Sequence, residues 1–375
     1  MQGNDLHSMF SETSAERRLG NRALIITGPE EFEDGSLYLL QREMQKSGID
    51  GVVCDAAGRL SKSDAAAEAA SLLLRSKAQW ALGLGDPSIQ GLAKAATLLA
   101  RMDGAGYTMD DFLDNRVSAV VPPGSLYPYL AVPTQCWNPL IYTDLAAVTD
   151  SRDRGACIIS TGVYADAVFH SAEITSLQTE KQLVYDLVCI LVSVFESLSQ
   201  SPNTISRPLL NSALTGALEI LRQIPSSETP VESGIVQSLG LLSSRAGSVS
   251  PPGPGFACGR AVLGLHDIEA QWTTAALLPG IAAISSRRGA AADGSLRPFL
   301  IELLGIEETD ESEDTEYTVG LIEDEIRALT GRADVPLRLH DLGLDNPDLP
   351  RIKTIAADLC GEEPELLAGL LEAAL

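Results

Sequence analysis

The stretch of this chain richest in chemistry is Ala78–Ala95, AQWALGLGDPSIQGLAKA. An apolar run of Trp80, Ala81 and Leu82 leads into a turn with Gly83, Gly85, Asp86, Ser88 and Gly91, and then into a helical pattern. In a parallel α/β sheet, a strand, glycine turn and helix of this kind place backbone N–H groups and a positive helix end against a phosphate. Reactive residues elsewhere are sparse. The four histidines, His7, His170, His266 and His340, stand far apart. The six cysteines, Cys54, Cys136, Cys157, Cys189, Cys258 and Cys360, form no CxxC pair, which reads as small reduced thiols in a cytoplasmic protein.

The elements that must position these residues alternate. Short β runs at Ala23–Thr27, Gly51–Cys54 and Trp80–Leu84 are separated by helical stretches at Phe32–Ser47, Lys62–Lys77 and Ser88–Met102. Strands spaced by helices of that length predict a parallel sheet with crossover helices. Further strands are expected at Arg116–Val121, Tyr129–Val132, Ile141–Val148 and Cys157–Ser160. After residue 165 the β signal ends. Helices are then expected at Thr179–Leu198, Ile205–Gln223, Glu232–Ala246, Ala270–Ser286, Arg297–Leu304, Val319–Thr330, Leu349–Asp358 and Pro364–Ala374. Loops are expected at Ile224–Val231, Ser248–Gly255 and the acidic run Gly305–Glu316. The division is a frayed segment 1–18, a Rossmann-like α/β domain 19–165 and an all-helical domain 166–375.

Composition narrows the function classes. With 375 residues and 45% hydrophobic content the chain can build two substantial cores. Its formal charge of −24 argues against binding nucleic acid or an anionic membrane, because phosphate attraction needs clustered Lys and Arg. The N-terminus lacks the charged-then-apolar pattern of a signal peptide. The most apolar run, Leu183–Phe195, contains Asp186 and suits a buried helix better than a membrane span.

Several motifs resemble those of the iron-containing alcohol dehydrogenases, which have the dehydroquinate synthase-like fold. Gly85–Lys94, GDPSIQGLAK, is similar to the family's GGGSxxDxAK turn: Ser88, Ala93 and Lys94 match, Asp86 and Pro87 replace two glycines, and Gly91 replaces the internal Asp. Pro133–Asp150 aligns without a gap with the family's PTT strand end, nicotinamide-side loop and later TD. Pro133, Thr134, Thr149 and Asp150 match, while Gln135 to Ile141 replace the loop's TAGTxxE-like residues. Val335–Ile352 resembles the family's closing structural signature. The resemblance implies an α/β domain followed by a helical one, with NAD(P) at Gly83, Gly85, Asp86, Ser88 and Thr134. Its ribose-binding Asp falls on Gly28, after Ile26 and Thr27.

The resemblance also implies one divalent ion held by an Asp and three His. The alignment sets those positions at Ile190, Val194, Phe256 and Ala270. None of these side chains has a lone pair to offer, so no metal is expected. In the family the ion stabilises the alkoxide that forms as hydride arrives. Maleylacetate reductases of the same superfamily work without it, so a substitute acid could serve, with Tyr142, Tyr185 and His266 as candidates. The expectation is a pseudoenzyme with an assembly, regulatory or ligand-binding role, as a homo-oligomer or with a paralogous subunit. The alternative is a metal-independent NAD(P)-dependent reductase that uses a cleft between the domains for a small molecule.

Overall fold

In the computed structural model, the residues described are Gln2, Gly3, Leu6, Ser8, Phe10 and Glu12, with 19–55, 62–102, 106–114, 127–152, 155–200, 203–224, 231–248, 253–266, 268–284 and 315–375. The expected strand Arg116–Val121 and helix Arg297–Leu304 lie outside them. So do residues 305–314 of the acidic run and parts of both other loops. The chain divides into two compact units, Met1–Gln178 and Thr179–Leu375.

The first unit contains strands β1 (Gln2–Gly3), β2 (Arg22–Thr27), β3 (Asp50–Cys54), β4 (Trp80–Gly85), β5 (Tyr129–Pro133), β6 (Leu145–Asp150), β7 (Gly155–Ser160), β8 (Ala167–Val168) and β9 (His170–Ser171). Its helices are α1 (Pro29–Glu33), α2 (Ser36–Lys46), α3 (Ser63–Arg75), α4 (Pro87–Arg101), α5 (Met109–Leu113) and α6 (Ala172–Thr175). Five strands form a parallel sheet in the order β3-β2-β4-β5-β8. Alternate side chains of β2 feed opposite faces, as strand geometry requires. Leu24 and Ile26 pack with Ala66, Ala69, Leu92 and Ala96 of α3 and α4. Ala23 and Ile25 pack with Leu37, Leu40 and Met44 of α2.

Three sequence expectations change here. Segment 1–18 was expected to fray, yet Gln2 and Gly3 pair with His170 and Ser171, and Leu6 and Phe10 are buried in the α2-side core. Phe10 meets Phe169 edge to face at 5.2 Å, so apolar positions four residues apart anchor the segment. Ile141–Val148 was expected as one strand, but residues 141–144 turn and the strand begins at Leu145. β6 then pairs antiparallel with β7 as a separate hairpin. β8 and β9 carry the α/β unit past residue 165, to Gln178.

The second unit is helical: α7 (Glu180–Ser199), α8 (Ser206–Gln223), α9 (Ser233–Gly247), α10 (Pro254–His266), α11 (Ala270–Ala276), α12 (Thr315–Thr330), α13 (Leu349–Cys360) and α14 (Pro364–Ala373). α7 is capped by Thr179, whose side chain accepts from Gln182 N–H, and packs against α8, α9, α10 and α11. It is long and apolar enough to cross a membrane, but most of it is buried within this unit. α10 was not expected, because Ser248–Gly255 read as a loop and no helix was assigned before Ala270. The glycines instead permit close packing: a Cβ on Gly259 would lie 2.6 Å from the Ala270 carbonyl oxygen.

Candidate functional site

The β4–α4 turn forms as expected. Gly85 has φ +151°, and a Cβ there would collide with Ile89. Asp86 is the N-cap of α4, its Oδ1 accepting from Ile89 N–H at 2.9 Å. Ser88 is buried on the first turn of α4. Gln90, also on α4, donates through Nε2 to the carbonyls of Gly83, Gly85 and Val132, and its Oε1 accepts from the Tyr129 hydroxyl. This buried amide thereby ties the ends of β4 and β5 together. Gly91 is dictated by packing, since a Cβ would meet the Ala147 carbonyl oxygen at 2.5 Å where the β6–β7 hairpin crosses α4.

Thr134 completes the same strand edge. Its N–H donates to the Gly85 carbonyl at 3.2 Å, and its hydroxyl donates to Glu31 Oε1 at 3.1 Å. The other oxygen of Glu31 accepts from Gly28 N–H at 3.1 Å. Burial, reinforced by the charge of Asp86, raises the Glu31 carboxyl to about 8. The carboxyl ends of the adjacent strands β2, β4 and β5 thus converge on Gly28, Asp86, Thr134 and Glu31, the edge at which parallel sheets bind ligands. Glu31 was missed in the sequence. Its only local signal was an acidic residue three positions after Gly28.

Lys94 is buried, with its ammonium donating to the carbonyls of Leu140, Thr143 and Leu145 at 2.7, 2.7 and 3.1 Å. Desolvation lowers it to about 7, opposed by Asp144. These bonds brace the turn at residues 141–144: the carbonyls of Leu140 and Thr143 point to Lys94 just before β6 begins. The same loop buries Trp137 and Asn138.

The three acid candidates have different settings. The hydroxyl of Tyr142 lies 2.7 Å from His170 Nε2, and burial lowers that imidazole to about 4, so it is neutral at pH 7. His170 was not selected from the sequence, because it lies 28 residues from Tyr142 on a strand the sequence did not predict. Tyr185, on α7, donates to the Asp334 carbonyl at 3.4 Å, and burial raises its phenol to about 12. His266 is exposed at the end of α10, its Nε2 3.6 Å from Asp348 Oδ1.

The four positions aligned with metal ligands lie on α7, α10 and α11, helices that pack together. Ile190, Val194 and Phe256 are buried, and Ala270 begins α11. Asp186, one turn before Ile190 on α7, is buried and accepts from Gln271 Nε2 at 2.7 Å. Gln271 adjoins Ala270, and its carbonyl accepts from the Cys189 thiol at 3.3 Å. A polar contact within the protein therefore links α7 to α11 beside the expected metal position. Four apolar side chains do not fit a divalent ion, which takes about four N, O or S donors. Among the described residues, no group of three or more His, Cys, Asp or Glu is placed to hold a metal.

Residues 2–171 match the family model of the iron-containing alcohol dehydrogenases. Over that stretch the chain is similar to the iron-containing alcohol dehydrogenases. Its fold is similar to NADH-dependent butanol dehydrogenase A of Thermotoga maritima, with 17% identity, a TM-score of 0.78 and coverage of 100% of this chain and 96% of that one. Sulfoacetaldehyde reductase of Bifidobacterium kashiwanohense, solved in complex with NAD+, is similar at 17% identity and TM-score 0.76, covering 100% and 96%. Maleylacetate reductase of a Rhizobium species is similar at 18% identity and TM-score 0.68, covering 99% and 94%. No curated protein matches the sequence. The iron-containing alcohol dehydrogenase likeness, with its parallel α/β unit and helical unit, agrees with the fold expected from the motifs.

Proposed function

We propose that this iron-containing alcohol dehydrogenase-like chain does not perform metal-dependent hydride transfer and keeps the fold for assembly, regulation or ligand binding. The observation carrying this reading is the apolar filling of Ile190, Val194 and Phe256 on packed helices, with Ala270 beside them. Without an ion, the largest electrostatic stabilisation of an alkoxide is missing. The chain acts as a cytoplasmic protein, a reading supported by cysteines that form no disulfide, and pairs with itself or a paralogous subunit. The test is elemental analysis of protein purified without chelator, combined with alcohol and aldehyde turnover assays using NAD(H) and NADP(H). Substoichiometric Fe, Zn and Ni with no metal-stimulated turnover are expected. A stoichiometric ion whose removal abolishes turnover overturns the reading.

The Tyr142–His170 hydrogen bond favours a second reading, a metal-independent NAD(P)-dependent carbonyl reductase. Such a reaction moves hydride from the nicotinamide to carbon and a proton to oxygen, and Tyr142 supplies the proton while His170 holds its hydroxyl. On this reading Tyr142→Phe lowers kcat about 100-fold or more at little changed KM.

A further inference from the structure

At the β4–α4 turn, two N–H groups of the first turns of α4 are engaged by Asp86 and a third position has none to offer. Asp86 Oδ1 accepts from Ile89 N–H, Gln90 N–H donates to the Asp86 carbonyl at 3.1 Å, and Pro87 has no N–H. One strand away, Gly28 N–H donates to Glu31 Oε2. On the other side the Thr134 hydroxyl donates to Glu31 Oε1 and its N–H to the Gly85 carbonyl. Donors beyond three adjacent strand ends therefore serve two carboxyl groups and two backbone carbonyls.

The two carboxyl groups also feel each other, since Asp86 is the second cause raising Glu31 after burial. A further anion entering here would have to break the Asp86 cap and approach that carboxylate at short range. Helix N-termini in such turns bind phosphate because their N–H groups are open and their surroundings are not negative. At this turn the Ile89 N–H is already taken by the Asp86 carboxyl group, which also brings an acidic side chain to the helix end.

We infer that the chain's own carboxyl groups occupy this anion position: Asp86 takes the N-terminus of α4, Glu31 takes the donors of Gly28 and Thr134, and together they exclude nicotinamide dinucleotides. The exclusion is built into the side chains, so removing them opens the turn. This inference is incompatible with the NAD(P)-dependent second reading and rests on the first unit alone, whereas the proposed loss of metal chemistry rests on helices of the second. Dinucleotide binding and metal content can therefore fail separately.

The test is titration of NADH and NADPH, followed by nicotinamide fluorescence and melting temperature, into the full-length wild type, Asp86→Gly and Asp86→Gly combined with Glu31→Gln. Glycine is tolerated at an N-cap, so Asp86→Gly is expected to fold. Wild type is expected to show no saturation up to about millimolar ligand, and the double variant to bind at least about tenfold more tightly. If the glycine variant melts early, Asp86→Asn keeps a capping oxygen without the charge and is expected to bind between wild type and the double variant. Saturable micromolar binding by wild type overturns the inference. So does a double variant that binds no better than wild type.

Discussion

At the scale of single residues, two buried carboxyl groups behave differently because their surroundings differ. Glu31 is raised to about 8, against an unfolded value of about 4.3. Between those values the folded protein holds a proton that the unfolded chain has released, so unfolding free energy falls as pH rises. The contribution of the neutral carboxyl is complete below the unfolded value and lost as pH passes about 8. Glutamine does not titrate, so Glu31→Gln should flatten this fall, gaining stability relative to wild type between pH 5 and 8. Glu196, raised likewise to about 8 by burial, keeps part of the slope. Denaturant melts across that range check the sign, and a parallel pair of curves sinks the assignment. Asp186, by contrast, has Gln271 as a partner at 2.7 Å. Asp186→Ala leaves that amide buried without its acceptor and should cost about 1–3 kcal/mol. Replacing both, as Asp186→Leu with Gln271→Met, should recover much of the loss, because two apolar partners need no hydrogen bond. A double variant as unstable as the single one would show that the pair is not what matters there.

At the scale of elements, Lys94 decides the path of the chain between β5 and β6. Its ammonium serves three buried carbonyls, so Lys94→Met strands all three and should lower stability by about 3 kcal/mol or more. Amide exchange in residues 141–145 should speed up more than in β2 or β4, which distinguishes loss of the loop's brace from general unfolding. The same lysine shows where sequence reading reached its limit. Trp80–Leu84 and the helix after it were legible because apolar periodicity and a glycine turn are local signals. The end of the strand expected at Ile141–Val148 was not, because the group that bends it lies about fifty residues earlier. α10 was hidden for a related reason: Gly255 and Gly259 look like breakers until neighbouring backbone and side chains, Ala270 and Val192 among them, need the room. Glu31 and Thr134 are 103 residues apart, and only the sheet order makes them partners.

At the scale of the molecule, packing and chemistry make different demands on the same positions. The five-stranded sheet, its two helical layers and the α7-centred bundle are those of an iron-containing alcohol dehydrogenase-like fold. The positions that the sequence resemblance aligns with metal ligands are apolar, and the Asp186–Gln271 hydrogen bond joins α7 to α11 beside them. Hydrophobic burial is non-directional and tolerates such replacement when volume is kept, whereas metal coordination requires particular donor atoms. A bundle whose helices are joined by a metal gains stability from that ion by mass action and loses it on chelation. Ile190, Val194 and Phe256 are buried apolar residues, and on the proposed reading they supply packing where ligands would stand, so the melting temperature of the second unit should be the same after exhaustive chelation as before it. Adding Fe2+, Zn2+ or Ni2+ in turn should not raise it. Calorimetry with and without chelator measures this directly. An ion-dependent increase that saturates at one equivalent would mean that donors other than the aligned four have assembled a site.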